Sequence, residues 1–239
     1  MHASPMHIEE SDPVDRRIFD AFSALAGLLF LLPVFSLIAI AILLDSGRPV
    51  FFTQVRIGRG GKPFRIWKFR TMQAGAGGSA ITAAGDSRVT RVGGLLRKCK
   101  LDELPQLLNV IRGQMSLVGP RPEVPEYVHL ALPVWQTVLQ VRPGITDVAS
   151  LLYRDEERVL GASRDPHAFY RDHVLPSKLE LNLAYLQSRS FCRDLKLIFL
   201  TIRYSLFPKE FDPDLMKRTF GIGVTNDGQL HPLSSPLDR

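Results

Sequence analysis

Between Ile18 and Leu44 the chain carries a single charged side chain, Asp20, within a long apolar run, and Pro33 stands near its middle. As one straight helix that run would reach roughly 40 Å, against a hydrocarbon thickness of about 30 Å. Membrane-length hydrophobicity therefore governs what this sequence can become. Pro33 removes a helical hydrogen bond and crowds the preceding turn, so a kink is expected there. Arg16 and Arg17 precede the run, and Arg48, Arg56, Arg59 and Lys62 follow it. Both flanks thus carry the positive charge typical of the cytoplasmic side. We expect a helix that enters the bilayer, breaks at Pro33 and returns to the same face. A plain span and a soluble core helix are the competing readings, since spanning helices tolerate proline. The acidic lead "MHASPMHIEESDPVDRR" and the length of the run argue against a cleaved signal peptide.

With 239 residues the chain suits one substantial domain plus an appendage. We expect an α+β architecture: a polar lead over 1–15, the re-entrant helix over 16–47, a compact cytoplasmic domain over 48–207 and an irregular tail over 208–239. Turn signals at Ser46 to Pro49 and Gly58 to Lys62 bracket β-favouring runs at Val50 to Val55 and Phe64 to Phe69, which predicts a short hairpin. "AGAGGSAITAAG", Ala74 to Gly85, is small and Gly-rich and reads as a mobile loop, a potential lid. From Leu104 the apolar positions Leu107, Leu108 and Ile111 keep helical spacing until Gly113, which places Asp102 at a helix N-terminus. Ser177 to Ser188 and Arg193 to Phe207 read as two further helices. The second is apolar nearly all round and suits either a core or a membrane interface. No periodicity follows Pro208, so no core is expected there.

A formal charge of +6 favours an anionic partner: nucleic acid, a phospholipid surface or a phosphorylated substrate. Cys99 and Cys192 form neither a metal-ligand spacing nor a disulfide framework, which points to a reducing compartment. P-loop, HExxH and GxSxG motifs are all missing, and the six histidines are scattered.

"KLDELPQLLNVIRGQMSLVGPRPE", Lys100 to Glu123, is where chemistry concentrates. An aspartate at a helix N-terminus is ordinarily a cap, yet that position also suits a carboxylate kept ionised beside phosphates. Adjacent helical residues point about 100° apart, so Asp102 and Glu103 need not share one job. A carboxylate can attack phosphorus, and a second acid can organise a metal or move a proton. In "GPRP" two prolines restrict the backbone around Arg121, whose guanidinium can grip phosphate oxygens in bidentate fashion. The plain alternative is a structural arginine on helix-end carbonyls. "KFRTM" adds Lys68 and Arg70 on one strand face, and "GDSRVTRVG" adds Asp86, Arg88 and Thr90. Solvated basic residues are the ordinary explanation for such positions, but their concentration behind a membrane segment is not ordinary.

The ordered strings "GRPVFFTQVRIGRGGKPFRIWKFRTM", "DSRVTRVGGLLRKCKLDELPQLLNVIRGQMSLVGPRPE" and "RPGIT" resemble the bacterial sugar transferases that act as small monotopic phosphoglycosyl transferases. The resemblance covers roughly Arg16 to Phe207. It implies transfer of a phosphosugar from a UDP-sugar to polyprenyl phosphate, with release of UMP, on the cytoplasmic face of a bacterial inner membrane. By the matching motif, Asp102 corresponds to the family's nucleophile and Glu103 to its partner, with both as ligands of Mg²⁺. Lys68, Arg70, Arg88, Arg121 and Asp147 are expected to bind substrate. A UDP-sugar, polyprenyl phosphate and membrane phospholipid are the expected partners, a homodimer is left open, and nucleic acid is not expected. Three positions depart from the usual pattern. Asn182 stands where some members have an acidic residue, "PGITDVASLLYRDEE" carries Asp147 and Ser150 where many have glycine and a Gln-containing stretch, and Leu32-Pro33 replaces Ser-Pro at the helix break.

Two other classes compete. A membrane-anchored nucleic-acid binder would use the same charge, but aromatic residues are not interleaved with the basic ones as a stacking platform requires. An inert membrane scaffold would need the apolar segments but neither Asp102 nor Arg121.

Overall fold

The computed structural model describes residues 13–77, 82, 85–224 and 230–232. The polar lead through residue 12, and residues 78–81 and 83–84 of the loop expected to be a lid, lie outside the described residues.

The apolar run forms two helices, α1 (Val14–Phe30) and α2 (Leu32–Ser46), bent by 60° at their junction. No single helix is long and apolar enough to cross a membrane; the bent pair together is, by length and composition. The break falls at Leu31, two residues earlier than expected. Pro33 is what moves it: proline is at home in the first turn of a helix, where its missing N–H has no partner to lose.

Both ends of the pair are tied to the same body. At the start of α1, Arg17 donates to the carbonyls of Val110 at 2.7 Å and Ile111 at 2.9 Å, and Arg16 pairs with Asp194 at 3.1 Å. Asp20, the lone charge of the run, is buried and accepts from Ser116 Oγ at 2.6 Å and the Leu117 N–H at 3.3 Å. A carboxylate in an apolar segment is tolerable only with such donors. At the end of α2, Asp45 accepts from the Val92 N–H at 3.0 Å. The tip between these anchors is bare: Leu29, Phe30, Leu32, Leu37 and Ile40 are exposed, Phe30 by 84%. An apolar patch of that kind marks an interaction surface.

The hairpin is β1 (Phe51–Ile57) against β2 (Pro63–Phe69), antiparallel, with Phe51 opposite Phe69 and Ile57 opposite Pro63. Its strands match the expected runs to within two residues. Helix α3 (Arg91–Lys98), capped by Thr90, leads to a 3₁₀ segment, Leu101–Gln106, and then to α4 (Leu107–Ile111). Strand β3 (Ser116–Val118) pairs in parallel with β4 (Gly144–Thr146); α5 (Pro133–Val138) lies on the connection. The two backbones nearly touch just past β3. A Cβ on Gly144 would lie 2.1 Å from the Gly119 nitrogen, so only glycine allows this crossing. It sets the course of the Gly119 to Pro122 loop.

After β4 come α6 (Val148–Leu152), α7 (Glu156–Gly161) and α8 (Pro166–Phe169), which runs through a π-helical turn at Tyr170–Val174 into α9 (Leu175–Gln187). The expected Ser177 to Ser188 helix is thus the second half of a longer one. Helix α10 (Phe191–Leu206) follows, buried along Leu197, Leu200 and Tyr204 but exposing Leu195, Phe199, Ile202 and Leu206. The tail departs from expectation, because α11 (Pro213–Phe220) buries Met216 and Phe220 in the main core beside Tyr185 and Tyr204. Two apolar positions four residues apart suffice when Asp212 caps the helix start and Gly221 turns left-handed at its end.

Candidate active site

Asp102 and Glu103 occupy the first turn of the 3₁₀ segment rather than the N-terminus of an α-helix. Pro105 has no N–H to give, so α-helical bonding cannot run through the segment, and α4 starts only at Leu107. Lys100, with φ 57°, turns the chain into it. Both carboxylates are buried, at 7% and 8% exposure.

Their surroundings are opposite in kind. Glu103 Oε1 accepts from Lys68 Nζ at 2.8 Å and from Arg121 Nη2, and its Oε2 accepts from Arg121 Nη1 at 3.0 Å. Burial alone would raise the Glu103 carboxyl, but Arg121 and Lys68 overturn that and hold it well below its usual range. Asp102 Oδ1 is buried and meets no hydrogen-bond donor. Burial, with the neighbouring Glu103 charge, pushes the Asp102 carboxyl up against the pull of Lys68. Asp102 is therefore no cap: its oxygen is held in reserve at a site that disfavours its charge.

Lys68 projects from β2, its ammonium pushed down by burial against the attraction of Glu103. Arg121 is delivered by the Gly119 to Pro122 loop, and Glu103 raises its already high affinity for a proton. Asp147 is the cap of α6, with Ser150 donating its N–H and its hydroxyl at 2.7 Å each. Burial raises the Asp147 carboxyl, those bonds and the nearby Arg121 lowering it again in part. Thus Asp102, Glu103, Lys68, Arg121 and Asp147 assemble around one centre.

Two candidates are drawn elsewhere. Arg70 lies just beyond β2, so strand alternation no longer governs it; its Nη2 binds the Ser46 and Gly47 carbonyls at 2.9 and 2.7 Å and secures the end of α2. Arg88 clamps Asp86 at 2.6 to 3.1 Å, and those hydrogen bonds bring Asp86 down to about 2.

Sequence reasoning missed a layer behind Arg121. Glu123 accepts from Tyr170 Oη at 2.7 Å and faces Arg56 at 3.8 Å. Gln106, fully buried, has both side-chain polar atoms unpartnered. Its place four residues after Asp102 was the available signal.

No group of three or more His, Cys, Asp or Glu capable of holding a metal occurs among the described residues. A hard cation would find one open carboxylate oxygen, on Asp102, because both Glu103 oxygens are engaged by cations.

Residues 12–208 match the model of the bacterial sugar transferase family, a stretch that contains every member of this centre. The chain belongs to that family. Among bacterial sugar transferases it is 37% identical over 211 residues to an undecaprenyl-phosphate glucose phosphotransferase of Komagataeibacter xylinus, covering 84% of this chain and 38% of that protein. It is 38% identical over 192 residues to a UDP-glucose:undecaprenyl-phosphate glucose-1-phosphate transferase of Caulobacter vibrioides, covering 78% and 68% respectively. An exopolysaccharide production protein, PSS, of Rhizobium leguminosarum is 37% identical over 201 residues, covering 80% of this chain and 94% of that one. The chain thus spans well under half of the first relative and most of the other two.

Proposed function

We propose that this chain moves a sugar 1-phosphate from a UDP-sugar to a polyprenyl phosphate such as undecaprenyl phosphate, through a phosphosugar carried on Asp102, as the first membrane step in building a polysaccharide or glycoconjugate. The observation that carries the reading is the donor-free, buried Oδ1 of Asp102 beside a Glu103 already neutralised by Lys68 and Arg121. One carboxylate is left with an oxygen to offer, and the other is fixed as a scaffold for two cations.

Arg121 would grip the donor's diphosphate with the N–H groups that Glu103 leaves over, and Lys68 would offset charge on the same oxygens. An Asp102 oxygen attacks the sugar-bearing phosphorus; the bond to the bridging oxygen breaks, and UMP leaves with the electron pair. A polyprenyl phosphate oxygen then attacks the same phosphorus, and Asp102 leaves as carboxylate. Mg²⁺, when bound, would neutralise charge on the diphosphate, held by the open Asp102 oxygen and by substrate oxygens. Glu103 stands beside that position as the group that keeps Lys68 and Arg121 in place.

We place the exposed tip of α1 and α2, and the outer face of α10, in the lipid of a bacterial inner membrane at its cytoplasmic side. The anchoring of both helix ends to one body supports a re-entrant path over a span. The test is a panel of UDP-sugars offered with undecaprenyl phosphate and Mg²⁺ and scored by UMP release. Release with at least one donor is expected; none with any donor would sink the reading.

A further inference from the structure

Behind Arg121 the fold leaves a cleft that the transfer chemistry does not use. Its walls come from the Pro120 to Glu123 loop, α5 through Trp135 and Val138, α6 through Asp147 and Ser150, and α9 through Leu175, Lys178, Leu179 and Asn182. Most of its polar groups are already committed within the protein. Asp147 takes both donors of Ser150, Glu123 takes the Tyr170 hydroxyl, and Lys178 is paired with Glu156 while lying 5.2 Å from the centre of the Tyr170 ring. Asn182 is the exception. It is 5% exposed, lines the cleft, and makes no hydrogen bond to any described residue.

A carboxamide so deeply placed without partners costs about 1 to 3 kcal/mol unless something satisfies it. Its donor and its acceptor both point to a ligand with hydroxyl or amide groups. The rest of the lining narrows the chemistry. Trp135, Leu175 and Leu179 form an apolar wall, and the polar groups lie on three different elements around it, as suits a ring with apolar faces and a rim of hydroxyls. A flat base would need two apolar faces opposed across a slot, and Trp135 is the one aromatic ring in the lining.

We propose that this cleft receives the sugar of the donor and that Asn182 is a specificity-determining residue that reads its hydroxyl or acylamino groups. The proposal rests on the transferase reading above, with Arg121 as the link between diphosphate and sugar. Hydrogen-bonded recognition of this kind discriminates strongly, because a donor lacking the matching group leaves the carboxamide unpaired again.

The experiment uses the full chain in lipid nanodiscs with UDP-glucose, UDP-galactose and their 2-acetamido counterparts. Turnover is read by UMP release, and donor and UMP binding by calorimetry. Asn182→Asp keeps the shape and removes the donor; Asn182→Leu keeps roughly the volume and removes both polar atoms. We expect each variant to change the ratio of kcat/KM between the preferred donor and its epimer or acetamido counterpart by at least about tenfold. The affinity for UMP should stay within about twofold of the unaltered chain. Should Asn182→Asp fail to fold, Asn182→Leu carries the test, with melting temperatures identifying the failure. An equal fall for every donor, or unmoved ratios, would overturn the cleft as the sugar site while leaving the transferase reading intact. Weakened UMP binding would assign the cleft to the nucleoside and overturn the proposal. An unaltered chain that neither binds nor turns over any donor would overturn both readings.

Discussion

Lys68 donates to Glu103 Oε1 at 2.8 Å across 35 positions of sequence, which ties the end of the hairpin to the 3₁₀ segment. That bond, with the Arg121 fork, separates two carboxylates that are neighbours in the chain. Glu103 is stabilised as an anion by its partners; Asp102 is destabilised as an anion by burial and by Glu103. A pair of like groups driven apart in this way is a signature of divided labour in a site.

The division is testable by exchange of each carboxylate. Asp102→Asn should lower UMP release to background and abolish labelling of the protein by a donor labelled in its sugar. Glu103→Gln should slow turnover by about tenfold or more yet still allow labelled protein to accumulate without lipid acceptor. Peptide mapping of the label decides the assignment. A label on Glu103, or substantial turnover in Asp102→Asn, would show that the nucleophile is misassigned.

Stability should respond in the opposite sense. Asp102 has its carboxyl raised, so the folded chain holds a proton that the unfolded chain gives up as pH climbs past the usual carboxylate value near 4. Stability is lost over that window and stays lost above it. Asp102→Asn should therefore melt at or above the parent temperature at pH 8, with the advantage shrinking towards pH 4.5. Glu103 is lowered, so its contribution is present above the usual value and fades only as pH falls through its depressed one. Glu103→Gln strands two cations and should cost roughly 3 kcal/mol at pH 7. Melting curves of the three proteins at both pH values settle the point, and a parent more stable than Asp102→Asn at pH 8 would contradict it.

Arg121→Lys keeps the charge but not the planar fork that spans both Glu103 oxygens and still presents N–H groups outward. Turnover should fall at least about tenfold, equivalent to about 1.4 kcal/mol of transition-state stabilisation. Steady-state rates at saturating donor provide the measurement; a near-normal rate would make the arginine structural.

Much of this site could be read in the sequence because its parts are local. The prolines around Arg121, the adjacent Asp102 and Glu103, and the alternation that selects Lys68 are all visible within a few residues of one another. What escaped reading was set by contacts distant in sequence. Arg70 looks equivalent to Lys68 until β2 ends at Phe69 and the side chain turns to the carbonyls of α2. Asp20 looks like an intruder in an apolar run until Ser116 reaches it from nearly a hundred residues away. Leu104 keeps the helical spacing, yet Pro105 denies the α-helix its hydrogen bonds and shifts its start. Met216 and Phe220 carry too little periodicity to announce a core helix; the groove beside Tyr185 and Tyr204 makes one.

The path of the bent pair yields the final prediction. Arg16 and Arg17 hold the start of α1 on α10 and α4, while Asp45 and Arg70 hold the end of α2 on α3 and the end of the hairpin. A spanning helix would have to put one of these ends across the bilayer, which would break the buried Asp20–Ser116 bond or the Arg70 clamp and strand a charge in each case. Reporter tags placed before Arg16 and after Arg48 should accordingly both read as cytoplasmic. Pro33→Leu removes the residue that makes a helix start favourable at Leu32, and it should raise the fraction of chains with the two tags on opposite sides. Because the anchors persist in that variant, most chains should still return, and Pro33→Leu combined with Arg70→Ala should shift the balance further. A periplasmic N-terminal tag in the unaltered protein would refute the re-entrant path. Equal topology in the parent and the double variant would show that neither the proline nor the clamp governs it.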